Sequence, residues 1–427
     1  MITRATRRML TVAAAASVSA LVLAGCTSSP AEPGNSTDPQ SPEEQLTLSI
    51  ATFNDFGYSE ELLAEYTKDH PNITITHNRA AESGDARANF FQKLGSGGLA
   101  DIEAVEIDWF AEMMQYADLL APVDDSLKGR WLDWKEAAAT DANGNLVAYG
   151  TDIGPQGICY RADLFEAAGL PTDRDEVAAL FPTWDAFFQV GADYVAKTGT
   201  PFIDSANSVL QGLVNQVEFT YEQPDGTIIA ETNPVVREAY DTVVEKAIPI
   251  AAFSGQWSED WFASMANGEY AAMLCPPWMH GIISGTAPDI TGWDVADAFP
   301  GGGGNWGGSY LVIPANGKNV EAAKELAAWL TSPEVQLKAF VNVGTFPSQI
   351  EAQASSDLSG FTNPYYNNAP TGQIGIDRAN AITVAPYKGP KYFQYHDALQ
   401  DAVNRVFDGL EDQETAWNSW LTQIAGF

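Results

Sequence analysis

Between Leu46 and Ile107 the chain alternates two periodicities, and that alternation restricts the available folds more than any other feature. Leu46-Thr47-Leu48-Ser49-Ile50-Ala51-Thr52 repeats every second residue, as a strand does. Glu60 to His70 then sets Leu62, Leu63 and Tyr66 on one helical face and stops at Pro71. Ile73-Thr74-Ile75-Thr76 predicts a second strand, Asp85 to Leu94 a helix closed by Gly95, and Ile102 to Ile107 a third strand. Strands that alternate with helices imply parallel βαβ units and an α/β sheet covered on both faces.

Beyond a β-rich run from Leu146 to Tyr160, broken by Gly150, Gly154-Pro155 and Gly157, the rhythm lengthens. Helices are expected over Arg161–Ala168, Thr183–Lys197, Asn233–Lys246 and Ser258–Asn267, with a strand at Tyr270–Cys275. A strand at Ser309–Ile313 precedes helices at Val320–Leu330, Pro333–Val343, Lys391–Leu410 and Glu414–Ile424. A chain of 427 residues has room for two or three domains, and 45% hydrophobic residues can fill their cores. The change of rhythm predicts two α/β lobes, with the chain crossing between them more than once.

The first residues read as an address. Arg4, Arg7 and Arg8 precede an apolar run, Met9 to Ala24, too short to span a bilayer comfortably. It ends in Leu23-Ala24-Gly25-Cys26, which resembles the lipobox of bacterial lipoproteins. That resemblance implies a signal peptide over 1–25 and a lipid-bearing Cys26; an ordinary signal peptide that happens to contain a Cys is the alternative. Thr27 to Gln45, rich in Ser, Pro, Glu and Asp, predicts a flexible tether over 26–45 on the outer face of the cytoplasmic membrane. Two or more acyl chains would hold it there stably.

Charge and motifs exclude several functions. With 22 Lys+Arg against 56 Asp+Glu, a net charge of -34 disfavours nucleic acid and anionic membrane surfaces. His70, His77, His280 and His396 are scattered, and no CxxC pair occurs, so no metal site is expected. Gly301 to Gly304 lacks the Lys-Ser/Thr of a phosphate loop, and no G-x-S-x-G elbow exists, so no cofactor is implied. Cys159 and Cys275 lie in strand-like runs and are read either as a disulfide or as two buried thiols. Asp101, Glu103, Glu106 and Asp108 cluster at a strand end. On an extended strand Glu106 and Asp108 would share a face, which leaves a two-carboxylate glycosidase open.

Aromatic loops point instead to binding, of a sugar ahead of another solute such as a peptide or polyol. A pyranose offers an apolar face and a rim of hydroxyls, so its site needs flat rings beside amides and carboxylates. Phe53-Asn54-Asp55-Phe56-Gly57-Tyr58 follows the first strand, Glu106-Ile107-Asp108-Trp109 the third, and Cys275-Pro276-Pro277-Trp278-Met279 a later one. Asn305-Trp306-Gly307-Gly308-Ser309-Tyr310 precedes another. Trp278 and Trp306, beside Pro or Gly at strand ends, are candidate stacking surfaces, while Trp257 and Trp261 can be read either way.

Several longer stretches share one resemblance. They are Tyr160-Arg161-Ala162-Asp163-Leu164-Phe165-Glu166-Ala167-Ala168-Gly169-Leu170-Pro171, Pro182-Thr183-Trp184-Asp185, Asn267-Gly268-Glu269-Tyr270-Ala271-Ala272-Met273 and Ala327-Ala328-Trp329-Leu330-Thr331-Ser332-Pro333-Glu334. With the lipobox and Asn305-Trp306-Gly307-Gly308-Ser309, the sequence resembles family 1 extracellular solute-binding proteins, the lipid-anchored receptors of carbohydrate ABC importers.

The resemblance implies an α/β, two-lobed periplasmic-binding-protein-like fold of type II with several hinge crossings. One lobe would hold residues 46–155 and 309–345, the other 156–308 and 346–427. It implies a monomer that binds an oligosaccharide, performs no chemistry on it and meets ABC permease subunits. Ala369-Pro370-Thr371-Gly372-Gln373-Ile374 further resembles actinobacterial cellobiose and xylo-oligosaccharide receptors. Carried over, Trp278 and Trp306 would stack on sugar rings, and Asn54, Asp55, Glu106, Asp108 and Asn305 would bind hydroxyls. Trp109, Tyr310 and Asp152 complete the expected ligand set.

Overall fold

A computed structural model describes residues 44–427; Cys26, the signal segment and all of the tether but its last two residues lie outside the described residues. The first sheet contains β1 (Leu46–Phe53), β2 (Ile73–Ala80), β3 (Ile102–Glu106) and β4 (Tyr149–Gly150). The chain then passes through β5 (Asp152–Ile153) into β6 (Gly157–Arg161), β7 (Ile203–Ser205), β8 (Ala251–Phe253), β9 (Ala272–Cys275) and β10 (Trp293–Ala296). It returns as β11 (Ser309–Val312) and crosses again at β12 (Phe346–Pro347).

The strand order of the first sheet is β2-β1-β3-β11-β4 and that of the second β10-β6-β9-β7-β8. As the alternation predicts, β1 runs parallel to β2 and β3. By contrast β11 is antiparallel to β3 and β4, because it enters from the other lobe and needs no crossover helix. Each sheet has its own core, one around Ile50, Val105, Leu311 and Leu326, the other around Phe165, Phe202, Leu210 and Leu399. This is the two-lobed α/β fold of type II, with several crossings between lobes.

Local sequence explains where most elements begin. Ser59 Oγ accepts from the Leu62 amide at 3.2 Å and opens the helix Glu60–Asp69, whose Leu62, Leu63 and Tyr66 are buried. The third strand stops one residue early, since the Glu106 carboxylate accepts from the Asp108 amide at 3.0 Å and starts the helix Ile107–Met114. Asn233–Lys246 is helical only as Pro234–Thr242, followed by a π-turn at Val243–Ala247.

Several helices escape the periodic reading, three of them beside the cleft or the crossings. Ala206–Val214 is buried on nearly every side, its polar Asn207, Ser208 and Gln211 included, so its short polar stripe does not mark a solvent face. Pro277–Thr286 begins with a proline that reads as a loop but suits a first helical turn. Thr371–Asn380 contains two glycines, Gly372 and Gly375, that lower its helical signal.

The crossings are held side by side. The Thr151 amide donates to the Ser309 carbonyl at 2.9 Å, Trp306 to Gly154 at 2.7 Å and Gln156 to Gly304 at 2.8 Å. A Cβ on Gly154 would lie 1.7 Å from the Trp306 carbonyl oxygen, so only glycine permits this approach. At the third crossing β12 pairs with β5.

Cys159 and Cys275 are joined by a disulfide between the adjacent strands β6 and β9, with Cα atoms 5.4 Å apart. His280 lies close to both sulfurs, but the bridge leaves no thiolate to ligate a metal. No helix among the described residues is long and apolar enough to cross a membrane. The bridge closes a separation of 116 residues, for which loop entropy gives about 4–5 kcal/mol. Urea unfolding of the Cys159→Ala/Cys275→Ala variant should show a loss of that order. A loss below about 1 kcal/mol would mean that native packing alone aligns β6 and β9.

Candidate functional site

A cleft of about 630 Å³ lies between the lobes, within the range of about 300–1,000 Å³ usual for small-molecule sites. Its aromatic wall is built by three elements. Trp278 stands in the first turn of the helix Pro277–Thr286, and its Nε1 donates to the Trp306 carbonyl at 3.0 Å. The two rings meet edge to face, 5.1 Å apart at 76°. Trp257 lies nearly parallel to Trp278, with ring centroids 6.1 Å apart and planes at 21°. All three rings stay partly exposed to the cleft.

Trp257 is held in a costly conformation. Its φ of 74° lies in the left-handed region, where an L-residue other than glycine is strained. The neighbouring Gln256 donates from Nε2 to Asp204 Oδ2 at 2.6 Å, and Trp261 Nε1 donates to the same oxygen at 3.1 Å. Asp204 is wholly buried, and burial pushes its carboxyl up to about 6 despite these donors. Trp261 in turn packs 5.3 Å from Trp257. A buried acid thus anchors the loop that presents the ring.

The opposite wall is polar. Asn54 and Asp55 follow β1, Asn54 with a left-handed φ of 47°. Asp55 accepts from the Gly57 amide at 2.9 Å and from Arg79 at 3.1 Å. Glu106 and Asp108 line the floor, yet not as a shared strand face, because Asp108 already belongs to a helix. Lys388 pairs with Asp108, and burial followed by the Asp108 charge raises the Glu106 carboxyl well above its ordinary range. Asp152 also lines the cleft; its Oδ1 accepts from Thr151 Oγ1 at 2.8 Å and from the Ser309 amide at 3.0 Å.

Beneath the floor, Lys135 Nζ donates to the Ser309 carbonyl at 2.8 Å. Burial depresses that ammonium to about 7, against the pull of Asp152 and Glu106.

Three expected ligand residues do not reach the cleft. Trp109 is fully buried between Phe90 and Phe91, its Nε1 donating to Ser83 Oγ at 2.9 Å. It lies on the core face of its helix, so strand-end placement misjudged it. Tyr310 points into the first core, stacked 3.9 Å from Phe110 with Lys135 Nζ 3.8 Å from its ring centre. Asn305 is buried and binds backbone with both ends of its amide, accepting from the Gly154 amide and donating to the Gly307 carbonyl, each at 2.9 Å. It clips the hinge rather than facing a ligand.

The sequence predicts the long C-terminal helix, observed as Tyr392–Phe407, but sequence reasoning missed that it lines the cleft. One face carries Tyr395, Leu399, Ala402 and Val403 into the second core, while Phe393, Asp397, Gln400, Asp401 and Asn404 line the cleft. The available signal was that this polar stripe holds acids and amides but no lysine. Asn207 and Gln211, four residues apart on one face of the helix Ala206–Val214, were also missed; their spacing was the available signal.

Two lobes joined by several crossings around a ligand-sized cleft define a hinged binding protein. Residues 51–337 match the bacterial extracellular solute-binding proteins, and the chain belongs to that family. It is 26% identical to the arabinooligosaccharide-binding protein of Bacillus subtilis (strain 168), with 95% of each chain covered. It is 25% identical to the lactose-binding protein of Rhizobium radiobacter, covering 62% of this chain and 64% of that one.

A solved structure of an extracellular solute-binding protein of family 1 is 41% identical, with a TM-score of 0.78 over 88% of this chain and 98% of its own. The fold is also shared with an ABC transporter associated binding protein of B. animalis subsp. lactis Bl-04 in complex with β-1,6-galactobiose. That protein has a TM-score of 0.76 at 16% identity over 90% of this chain and 97% of its own. The relatives are binding proteins, and this chain is not an enzyme.

The strain at Trp257 is testable by paired truncation. Trp257→Gly and Trp257→Ala both remove the ring, but only glycine accepts the backbone. Thermal or urea unfolding should find Trp257→Gly more stable than Trp257→Ala by about 1 kcal/mol, the reverse of the usual order. Equal stabilities would show that the loop relaxes once the ring is gone.

Proposed function

We propose that the protein is a lipid-anchored receptor that captures a short oligosaccharide between its lobes and delivers it to an ABC importer. The observation that carries this reading is the partly exposed wall of Trp257, Trp278 and Trp306 facing carboxylates and amides across one cleft. Flat rings suit the C–H face of a pyranose, and the polar wall suits its hydroxyls. The ligands for which the relatives are named, arabino-oligosaccharide and lactose, and the β-1,6-galactobiose bound by the fold neighbour support a sugar. A β-linked chain such as a cello- or xylo-oligosaccharide is the finer proposal.

On this reading residues 46–155 with 309–345 move against 156–308 with 346–427. Closure brings both lobe surfaces into the arrangement that a permease can recognise. Within the cleft, Trp278 and Trp306 stack on sugar rings, while Asn54, Asp55, Glu106, Asp108 and Asp152 serve the hydroxyls. Residues 1–25 act as a signal, Cys26 carries the lipid, and the monomer works at the outer face of the cytoplasmic membrane.

Calorimetric titration with cello-, xylo-, arabino- and galacto-oligosaccharides tests the proposal. One class should bind tightly and be recovered intact. Trp278→Ala and Trp306→Ala should each weaken binding by about 1–3 kcal/mol, by analogy with other aromatic stacking. Unchanged affinity in both variants would remove the aromatic wall from the site.

A further inference from the structure

The cleft carries an electrical preference as well as a shape. Among the described residues seven carboxylates line it, and no lysine or arginine does. Its one histidine, His396, is buried against Tyr221 with Nδ1 2.9 Å from the tyrosine oxygen, and burial pushes it down to about 4, so it is neutral. The cations nearby do not line the cleft and are already paired, Lys388 buried and Arg79 partly exposed outside it. Arg79 holds Asp55, and Lys388 holds Asp108. Arg87 forks onto Glu112 with two contacts of 2.7 Å and lies 4.8 Å over the Phe393 ring.

Glu82, at the start of a helix of the first lobe, lines the cleft near Asp397 of the C-terminal helix, which in turn neighbours Asp401. Burial and then neighbouring carboxylates raise Glu82, with Asp85 and Asp397 contributing, and Asp397, with Asp401 contributing.

We infer that charge selects the ligand: the cleft accepts uncharged oligosaccharides and rejects those of equal length that carry a uronate. The inference rests on the sugar-receptor reading. An entering carboxylate would lose water without gaining a guanidinium or ammonium, and would meet like charge from both walls. Sugar hydroxyls, in contrast, can donate to the carboxylate oxygens of the cleft. Shape alone does not predict the difference, since a carboxylate is little larger than the hydroxymethyl group it replaces.

The test titrates the purified protein with its tightest neutral oligosaccharide and with two derivatives of that sugar. One carries a glucuronic acid unit and the other a glucuronamide unit at the same position. The acid should bind at least about tenfold more weakly than the amide, as one like-charge contact in a partly buried site predicts. The amide should stay close to the neutral sugar. In the Asp397→Asn/Asp401→Asn variant the gap should shrink severalfold. Equal binding of acid and amide by the parent protein would overturn charge selection and leave the receptor reading standing. Failure of every neutral sugar to bind would overturn both.

Discussion

The pairing of residues 151–156 with residues 304–309 is the constraint on which the rest of the molecule depends. Three backbone hydrogen bonds and the Asn305 amide hold two chain crossings together at the junction of two separate cores. The same short segment presents Trp306 to the cleft and fixes Trp278 through its carbonyl. On its other side it orients Asp152 through the Ser309 amide. Hinge and site are therefore one structure, and Gly154 is required where they touch.

Around that junction the protein places its costly features next to the cleft. Lys135 is fully buried beneath the floor with a depressed ammonium, and Glu106 is buried with a raised carboxyl. Trp257 holds a left-handed backbone, anchored through Gln256 and a buried Asp204. Strain and buried charge persist only where surrounding packing over-determines them, and both lobes supply that packing. A site assembled in this way meets its ligand with rings and acceptors already in position.

Much of the fold was legible because it is periodic. The strands β1 to β3 and the helices Val320–Leu330 and Pro333–Val343 follow apolar spacing that each lobe then buries. In a helix buried on nearly all sides, such as Ala206–Val214, polar and apolar positions are buried alike, so spacing does not separate core from surface. Site residues were legible where a strand end met a glycine or proline, as for Asn54, Trp278 and Trp306. That rule failed for Trp109 and Tyr310, because a side chain's direction depends on whether the chain turns helical or stays extended. Trp257 and the stripe from Phe393 to Asn404 were harder to place: the stripe is a local pattern, but which surface it faces follows from how the C-terminal helix and a strained loop dock.

A crystal structure of the protein with its tightest oligosaccharide tests the central claim most directly. The account predicts a sugar ring against Trp278 and Trp306, with its hydroxyls held by residues of both lobes. A sugar bound outside the cleft, or touching one lobe only, would contradict it.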